Sequence, residues 1–195
     1  MAKKRCGAAA LLVFSLTMGL TVFSSDLPAA TKQGTFQFFL GNYTINEPLF
    51  KSIYQNGGRI LGILLSANLV FNFDFYFEIK EFYKSGTLTY SKEQTRFLLV
   101  PVSLGLRYVL PSSFIRPYFG AGGDVYVYYE TNPIGSVLNY AKGYHLLGGA
   151  YLQLGKDFPI LINVRMKYTL AKASQNGRSI DLGGLEYGAG IGLVF

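Results

Sequence analysis

The sequence ends in the stretch GGLEYGAGIGLVF, residues 183–195, whose alternating residue pattern is the clearest indication of the fold. From Leu185 onward every second residue is apolar, and the chain closes on an aromatic side chain, Phe195. The positions between the apolar residues are mostly glycine, with Glu186 as the charged exception. Strict alternation of this kind is typical of a β-strand that presents two different faces. The fold that contains this strand must therefore use both an apolar face and a glycine-rich face.

The same period of two recurs along the chain beyond residue 30, and it predicts eight strands. We place them at residues 34–45, 59–71, 74–84, 94–110, 115–130, 143–155, 160–170 and 183–195. Their connections alternate in length. The long ones are residues 46–58, 85–93, 131–142 and 171–179, and the short ones lie near 72–73, 111–114 and 156–159. This alternation favours an up-and-down antiparallel barrel with four long loops at one end.

The first long loop carries a short helical pattern, NEPLFKSIYQ, at residues 46–55. Asn46 is a suitable cap, and Pro48 suits an early helical position. Gly57 or Gly58 is expected to end the helix. We expect this helix to pack over one mouth of the barrel.

The N-terminus predicts three segments. Lys3, Lys4 and Arg5 precede an apolar run at residues 8–23 and small residues after it, which is typical of a cleaved secretory signal peptide. We expect cleavage after Ser24, with Ala29 or Ala30 as a second candidate. The run is short for a membrane helix of about 20 residues, so an uncleaved anchor is the weaker alternative. Signal peptide 1–24 is then followed by a periplasmic segment 25–33 and a barrel domain 34–195.

Cysteine and charge narrow the possible functions. Cys6 is the only cysteine and precedes the apolar run, so the mature chain is expected to have no disulfide. The formal net charge is +7 for the whole sequence and +4 without residues 1–24, which carry three positive charges and no negative ones. The remaining basic residues are scattered, so no nucleic-acid partner is expected.

Periodicity alone leaves open which face of the barrel is inside. A soluble lipocalin-like binder would turn its apolar face inward, and a membrane barrel would turn it outward. The fourth and seventh strands carry no charge on their apolar faces over about ten residues, which matches a tilted membrane-spanning strand. Glycine on the polar face would make room for Arg and Tyr side chains in a narrow lumen. We therefore predict an all-β, eight-stranded antiparallel up-and-down transmembrane β-barrel.

In that barrel, the charged residues of the polar face form a lumen network. Its predicted members are Glu78, Lys80, Arg107, Arg116, Asp124, Glu130, Arg165, Lys167 and Glu186. Aromatic residues near the strand ends are expected to form two interfacial girdles. These are Phe71, Phe73, Phe75, Tyr108, Phe158 and Phe195 at the short-turn end, and Tyr129, Tyr144 and Tyr168 at the long-loop end.

The signal peptide, the eight amphipathic strands and the final Phe together resemble the small bacterial outer-membrane β-barrels of the OmpA/OmpX/OmpW type. The segments PYFGAGGDVYVYY, residues 117–129, and GLEYGAGIGLVF are similar to the glycine-aromatic strands of that superfamily. The resemblance covers the whole mature chain. It implies an outer-membrane location, with both termini in the periplasm. It also implies that Phe195 belongs to the signal read by the barrel-assembly machinery during insertion.

No catalytic, metal or cofactor site is predicted. Two lipid-A-modifying enzymes resemble this architecture, and a deacylase needs a serine activated by a histidine. The single histidine, His145, is followed by Leu146 and Leu147 rather than by a His-x-Ser pattern, so we interpret it as a lumen residue. Ligand spacing for a metal is missing from the sequence. GAGG at residues 120–123 lies inside a strand, without the helix that a phosphate-binding loop requires.

A barrel of this size usually has an interior filled by side chains, so a structural or surface-interaction role is the first hypothesis. A narrow transporter for a small or apolar solute, with the 46–55 helix as a lid, is the alternative. We expect a monomer in contact with outer-membrane lipid and lipopolysaccharide. A final hairpin centred near residues 175–176 would place Arg165 opposite Glu186. The change Arg165→Glu should then destabilise the barrel, and adding Glu186→Arg should restore some stability.

Overall fold

The computed structural model describes residues 34–88, 92–112, 114–153, 159–175 and 178–195. The predicted signal peptide 1–24, the segment 25–33 and Phe158 lie outside the described residues. The elements in chain order are β1 Gly34–Ile45, α1 Pro48–Tyr54, β2 Gly58–Asn68, β3 Phe73–Thr87, β4 Gln94–Val109, β5 Ile115–Asn132, β6 Gly135–Gln153, β7 Ile160–Gln175, β8 Arg178–Asp181 and β9 Gly184–Val194. Within these ranges, no helix is long and apolar enough to cross a membrane.

Eight of the strands close into one antiparallel barrel, as the sequence predicts. Each of β1 to β7 pairs with its neighbour along the chain, and β9 closes the ring by pairing with both β7 and β1. A walk around the ring through directly paired residues starts at Val125 of β5 and returns to β5 at Ile115, ten residues earlier. A register shift of this kind accompanies a strand tilt of about 35–45° in a closed barrel.

At the end of the barrel next to α1, the strands are longer than predicted and the loops are shorter. The loop expected at 131–142 is a two-residue turn, because β5 and β6 stay paired up to Asn132 and Gly135. The Asn132 side chain accepts hydrogen bonds from the backbone N–H groups of Ile134 and Gly135, which ends the hairpin. The loop expected at 171–179 contains the end of β7 and the first two residues of the short strand β8. Side-chain turn bonds and continued ladder pairing therefore extend the sheet beyond the apolar band.

The turn between β2 and β3 also differs from the prediction. β2 ends at Asn68 rather than at Phe71. Phe71 and Asn72 both have positive φ angles, 52° and 65°, and the Phe73 N–H donates to the carbonyl of Val70. Two successive residues with positive φ form the tight turn that matches the twist of a two-stranded ribbon.

The helix α1 is present in the first long loop, as predicted, but its ends differ. Glu47 rather than Asn46 occupies the cap position, with no side-chain cap, and Pro48 opens the helix. The helix ends at Tyr54 and is capped by Gln55, which has a φ of 66°, so it stops before Gly57 and Gly58. Phe50 and Tyr54 are its buried residues, so the helix turns its aromatic side towards the barrel.

The two faces of the sheet settle the choice between a soluble and a membrane-type barrel. The outward face is apolar over most of the barrel height, with Phe38, Leu104 and Val164 each more than half exposed. The inward face holds the buried charges, including Arg107 at 1% exposure. A soluble lipocalin-like barrel would have the opposite arrangement, so that alternative is wrong.

Glycines on the inward face leave space for large side chains, as the sequence predicts. A Cβ added at Gly105 would lie 2.5 Å from the hydroxyl of Tyr76, and one at Gly122 would lie 2.8 Å from the ring of His145. The lumen of an eight-stranded barrel is just wide enough to be filled by side chains. Each small residue on one wall thus admits a large one from another wall.

Candidate functional site

The middle of the lumen is crossed by ion pairs between opposite walls. Glu78 and Lys80 project from β3, and Arg165 projects from β7, four strands away in either direction around the ring. Arg165 forms a two-point contact with Glu78, one bond of which is 3.1 Å long, and its Nη2 also donates to Glu186 at 2.7 Å. Lys80 Nζ lies 2.7 Å from Glu78 and 2.8 Å from both oxygens of Glu186. Two cations and two carboxylates therefore share one buried cluster.

A second cluster lies beside the first and is centred on Asp124. Its Oδ1 accepts hydrogen bonds from Lys167 at 2.8 Å and from Ser103 at 2.5 Å. Its Oδ2 lies 2.6 Å from Nδ1 of His145, and the other ring nitrogen of His145 bonds the hydroxyl of Tyr76. All of these side chains are buried, so this Asp–His–Tyr chain meets no solvent from either mouth.

The end of the lumen near the short turns is filled by Arg107 and three tyrosines. The guanidinium carbon lies 5.0–5.6 Å from the ring centroids of Tyr76, Tyr118 and Tyr151, which places the cation within reach of all three aromatic faces. Its Nε donates to Asp74 at 3.3 Å. Arg107 therefore fills this end of the lumen and also pairs with the carboxylate of Asp74.

The buried charges of the lumen balance. Among the described residues, four cations are buried (Lys80, Arg107, Arg165 and Lys167), and so are four carboxylates (Asp74, Glu78, Asp124 and Glu186). An isolated buried charge costs several kcal/mol, so a filled lumen of this kind requires partners for every member.

Two members of the predicted network lie elsewhere. Arg116 is half-buried at the start of β5 and has no carboxylate within 4 Å among the described residues. Glu130 lies at the barrel mouth next to α1, here named the outer mouth, where it accepts a hydrogen bond from Tyr54 at 2.8 Å. The structure therefore brings together seven of the predicted nine residues: Glu78, Lys80, Arg107, Asp124, Arg165, Lys167 and Glu186.

The predicted pairing of Arg165 with Glu186 is wrong in register. Arg165 lies opposite Gly188, and Glu186 lies opposite Lys167. The two side chains still meet, because the long guanidinium reaches diagonally across the two strands. The final hairpin turns one residue later than the prediction assumed, which moves the partner position by two.

Four lumen residues are missing from the predicted network: Asp74, Tyr76, Ser103 and Asn163, all buried and hydrogen-bonded. His145 lies in the lumen, as predicted, and is bonded to Asp124 and Tyr76. Asp74 shares its strand face with Glu78 and Lys80, so strand alternation could have found it. The partners of His145 lie on other strands, and their proximity depends on the barrel's closure.

The residues that could support catalysis or metal binding are arranged for packing. Ser103 donates to Asp124, and His145 is bonded to Asp124 and Tyr76, so no described serine is hydrogen-bonded to the ring. No group of three or more potential metal-binding side chains occurs among the residues that the structure describes.

No family model and no curated protein matches this sequence. Solved structures do match. The outer-membrane protein OprG from Pseudomonas aeruginosa aligns over 84% of this chain and 96% of its own, with a TM-score of 0.67 and 14% identity. This chain has the fold of the small outer-membrane β-barrels.

Two further solved structures share that fold. Ail, the attachment invasion locus protein of Yersinia pestis, was solved with the heparin analogue sucrose octasulfate. It covers 84% of this chain and 99% of its own, with a TM-score of 0.57 and 10% identity. Neisserial surface protein A covers 83% of this chain and 97% of its own, with a TM-score of 0.56 and 14% identity. At these identities the likeness establishes the fold.

The outer mouth of the barrel is closed by an aromatic cluster beneath α1. Phe50 stacks on Tyr54 with a centroid distance of 4.7 Å and meets Phe97 at 5.0 Å, and Phe97 stacks on Tyr128 at 6.1 Å. Burial raises the pKa of the Tyr54 phenol, so the phenol stays protonated and donates to Glu130. A cavity of about 400 Å³ remains between this cluster, α1 and β8.

Proposed function

We propose that this chain is an integral outer-membrane β-barrel with a lumen closed by side chains, and that it acts through its outer surface or as a structural component. The observation that carries this proposal is the continuous filling of the interior. An aromatic plug at the outer mouth is followed by two ion-paired clusters and then by Arg107 in its three tyrosines. A lumen packed in this way leaves the outer hairpins and α1 as the parts available to other molecules.

The exterior supports placement in an outer membrane. The outward face is apolar, and exposed aromatic residues lie near both ends, including Phe71 and Tyr144. Lys142 and Lys172 lie directly opposite each other on β6 and β7, and both are exposed. They follow the apolar positions Tyr144 and Leu170 in the outward direction, where the phosphate groups of an outer leaflet would lie. Lipid is therefore the proposed surroundings of the barrel.

Two of the solved proteins that share this fold have names that indicate a role at the cell surface. One is an attachment invasion locus protein, and another is a surface protein. We extend to this chain only the general role, contact with molecules outside the cell, and propose no enzymatic activity.

The alternative is a narrow transporter for a small or apolar solute. The cavity under α1 favours it, since that cavity would be an entrance on the outer side. The plug formed by Phe50, Phe97 and Tyr128 would then have to open.

Conductance in planar bilayers separates the two functions. We would refold residues 25–195, confirm folding by a heat-modifiable gel shift, and record current across a bilayer. The closed-lumen proposal predicts a folded protein without discrete current steps. Reproducible unitary steps from the folded protein would contradict the proposal and support transport. Extraction from membranes by alkali without detergent would contradict the membrane placement itself.

A further inference from the structure

The cavity at the outer mouth is lined by aromatic and aliphatic side chains together with two carboxylates. Its walls include the aromatic residues Phe50, Tyr54, Phe97 and Tyr128, and its rim includes two carboxylates, Glu47 and Glu130. The remaining wall is mainly aliphatic and comes from α1, β8 and the chain just after β8. Its volume of about 400 Å³ falls within the range of small-molecule sites, about 300–1,000 Å³.

Neither carboxylate forms an ion pair with a side chain that the structure describes. Glu130 accepts hydrogen bonds from the hydroxyl of Tyr54 at 2.8 Å and from Thr95 at 3.4 Å. Glu47 accepts one from the backbone N–H of Asp181 at 3.0 Å. No Lys, Arg or His nitrogen of the described residues lies within 4 Å of either carboxylate, and Lys51, one turn along α1, is exposed to solvent.

The contrast with the lumen makes this arrangement informative. Inside the barrel each buried carboxylate meets at least one cation, and Glu78 meets three. At the mouth, two half-buried carboxylates hold their positions through neutral donors only. A half-buried carboxylate next to apolar walls attracts a positive charge more strongly than one in open water, because the local dielectric constant is lower.

We propose that this cavity binds a small organic cation, such as an aryl- or alkylammonium ion. The apolar part would rest among the aromatic and aliphatic walls, and the positive charge would lie between Glu47 and Glu130. Aromatic faces add to the attraction, because they favour a cation within about 6 Å of a ring centroid. A neutral molecule would gain only the apolar contacts, and an anion would be repelled. The cavity lies on the outer side of the aromatic plug, so the ligand would bind without entering the lumen. The proposal therefore does not depend on whether the lumen conducts ions.

The test is calorimetric titration with benzyltrimethylammonium. The refolded protein is held in phosphatidylcholine nanodiscs, which carry no net charge, and empty nanodiscs give the background. Benzyl alcohol and benzoate serve as the neutral and anionic comparison probes. We expect saturable binding of the cation and at least about tenfold weaker binding of the other two probes, a difference of about 1.4 kcal/mol.

The decisive variants keep the shape of the site and remove its charge. In Glu130→Gln the side-chain oxygen still accepts the Tyr54 hydrogen bond, and Glu47→Gln likewise retains an acceptor for Asp181. The double variant should weaken cation binding at least about tenfold while the gel shift remains normal. Glu81→Gln, which removes an exposed carboxylate from β3 outside the mouth, is the matched control and should bind like the unaltered protein.

Three results would overturn the inference. The first is the absence of saturable cation binding to the folded protein. The second is equal binding of benzyltrimethylammonium and benzyl alcohol, which would indicate an apolar site without charge selection. The third is full affinity in the folded double variant. None of these results depends on the bilayer recording that tests the closed lumen.

Discussion

Among single residues, Arg165 and Lys80 are the two cations that contact both Glu78 and Glu186. The guanidinium of Arg165 meets Glu78 and Glu186, and it lies 4.2 Å from the ring centroid of Phe39. Ion pairs that are buried in a protein gain little over apolar side chains of equal size, but removing one partner leaves a costly unpaired charge. Arg165 therefore stabilises the barrel mainly by neutralising carboxylates that the fold has already buried.

We predict that Arg165→Met lowers the free energy of unfolding by about 3 kcal/mol, the lower end of the range for a broken buried pair. The lower end applies because Lys80 still contacts both carboxylates. Adding Glu78→Gln should cost less than the sum of the two single changes, since the double variant restores charge balance. Reversible unfolding in urea, in lipid vesicles, measures these differences.

Arg116→Met is the matched control for that cycle. Arg116 is half-buried and lies outside the ion-paired clusters, so its replacement should change the unfolding free energy by no more than about 0.5 kcal/mol. Strict additivity of Arg165→Met and Glu78→Gln would contradict the proposed coupling.

Among the secondary-structure elements, α1 can pack closely against the barrel because Gly86 of β3 has no side chain. A Cβ at Gly86 of β3 would lie 2.5 Å from the carbonyl oxygen of Ile53 and 2.7 Å from the ring of Tyr54. The helix has seven residues and would be unstable alone, because short helices in water depend on packing. Its position over the mouth therefore depends on packing against the barrel, and Gly86 of β3 is one of the contact points.

We predict that Gly86→Leu displaces α1 and leaves the barrel intact. Overpacking costs about 1–3 kcal/mol, so the rate of trypsin cleavage after Lys51 should rise about tenfold or more. Gly135→Leu is the control, since nothing lies within 4 Å of a Cβ at Gly135. An unchanged cleavage rate in folded Gly86→Leu would mean that α1 does not depend on this contact.

The strands of the barrel could be predicted from the sequence, but their full lengths and the contacts between distant strands could not. Alternation of apolar residues predicts the barrel strands, and it places seven of the nine proposed charges inside. The same pattern predicts strands that are too short at the outer end. There β5 and β6 stay paired up to Asn132 and Gly135, and the Asn132 side chain stabilises the turn by accepting a hydrogen bond from the Ile134 N–H. The contacts of His145 with Asp124 and Tyr76 come from three different strands, so they follow from closure and register rather than from local pattern.

At the scale of the whole molecule, closure of the ring connects lumen filling with the chain ends. β1 and β9 are the first and last described strands, and their pairing completes the barrel. The ladder continues at the short-turn end of the barrel, where Gly34 and Phe195 exchange two backbone hydrogen bonds of 2.6 and 2.9 Å. The Phe195 side chain itself is 70% exposed, so the backbone rather than the ring makes the closing bonds.

This separation allows the proposed assembly role of Phe195 to be tested apart from stability. Phe195→Ala keeps both backbone bonds, so spontaneous refolding in detergent should match that of the unaltered protein. Insertion into liposomes containing the barrel-assembly machinery should slow about tenfold, as expected if about 1.4 kcal/mol of recognition is lost. Phe38→Ala, which removes a similarly exposed ring from the middle of β1, should leave both rates unchanged. Equal slowing of Phe195→Ala in detergent and in liposomes would instead assign the ring to barrel stability. An unchanged rate with the machinery would remove it from the assembly signal.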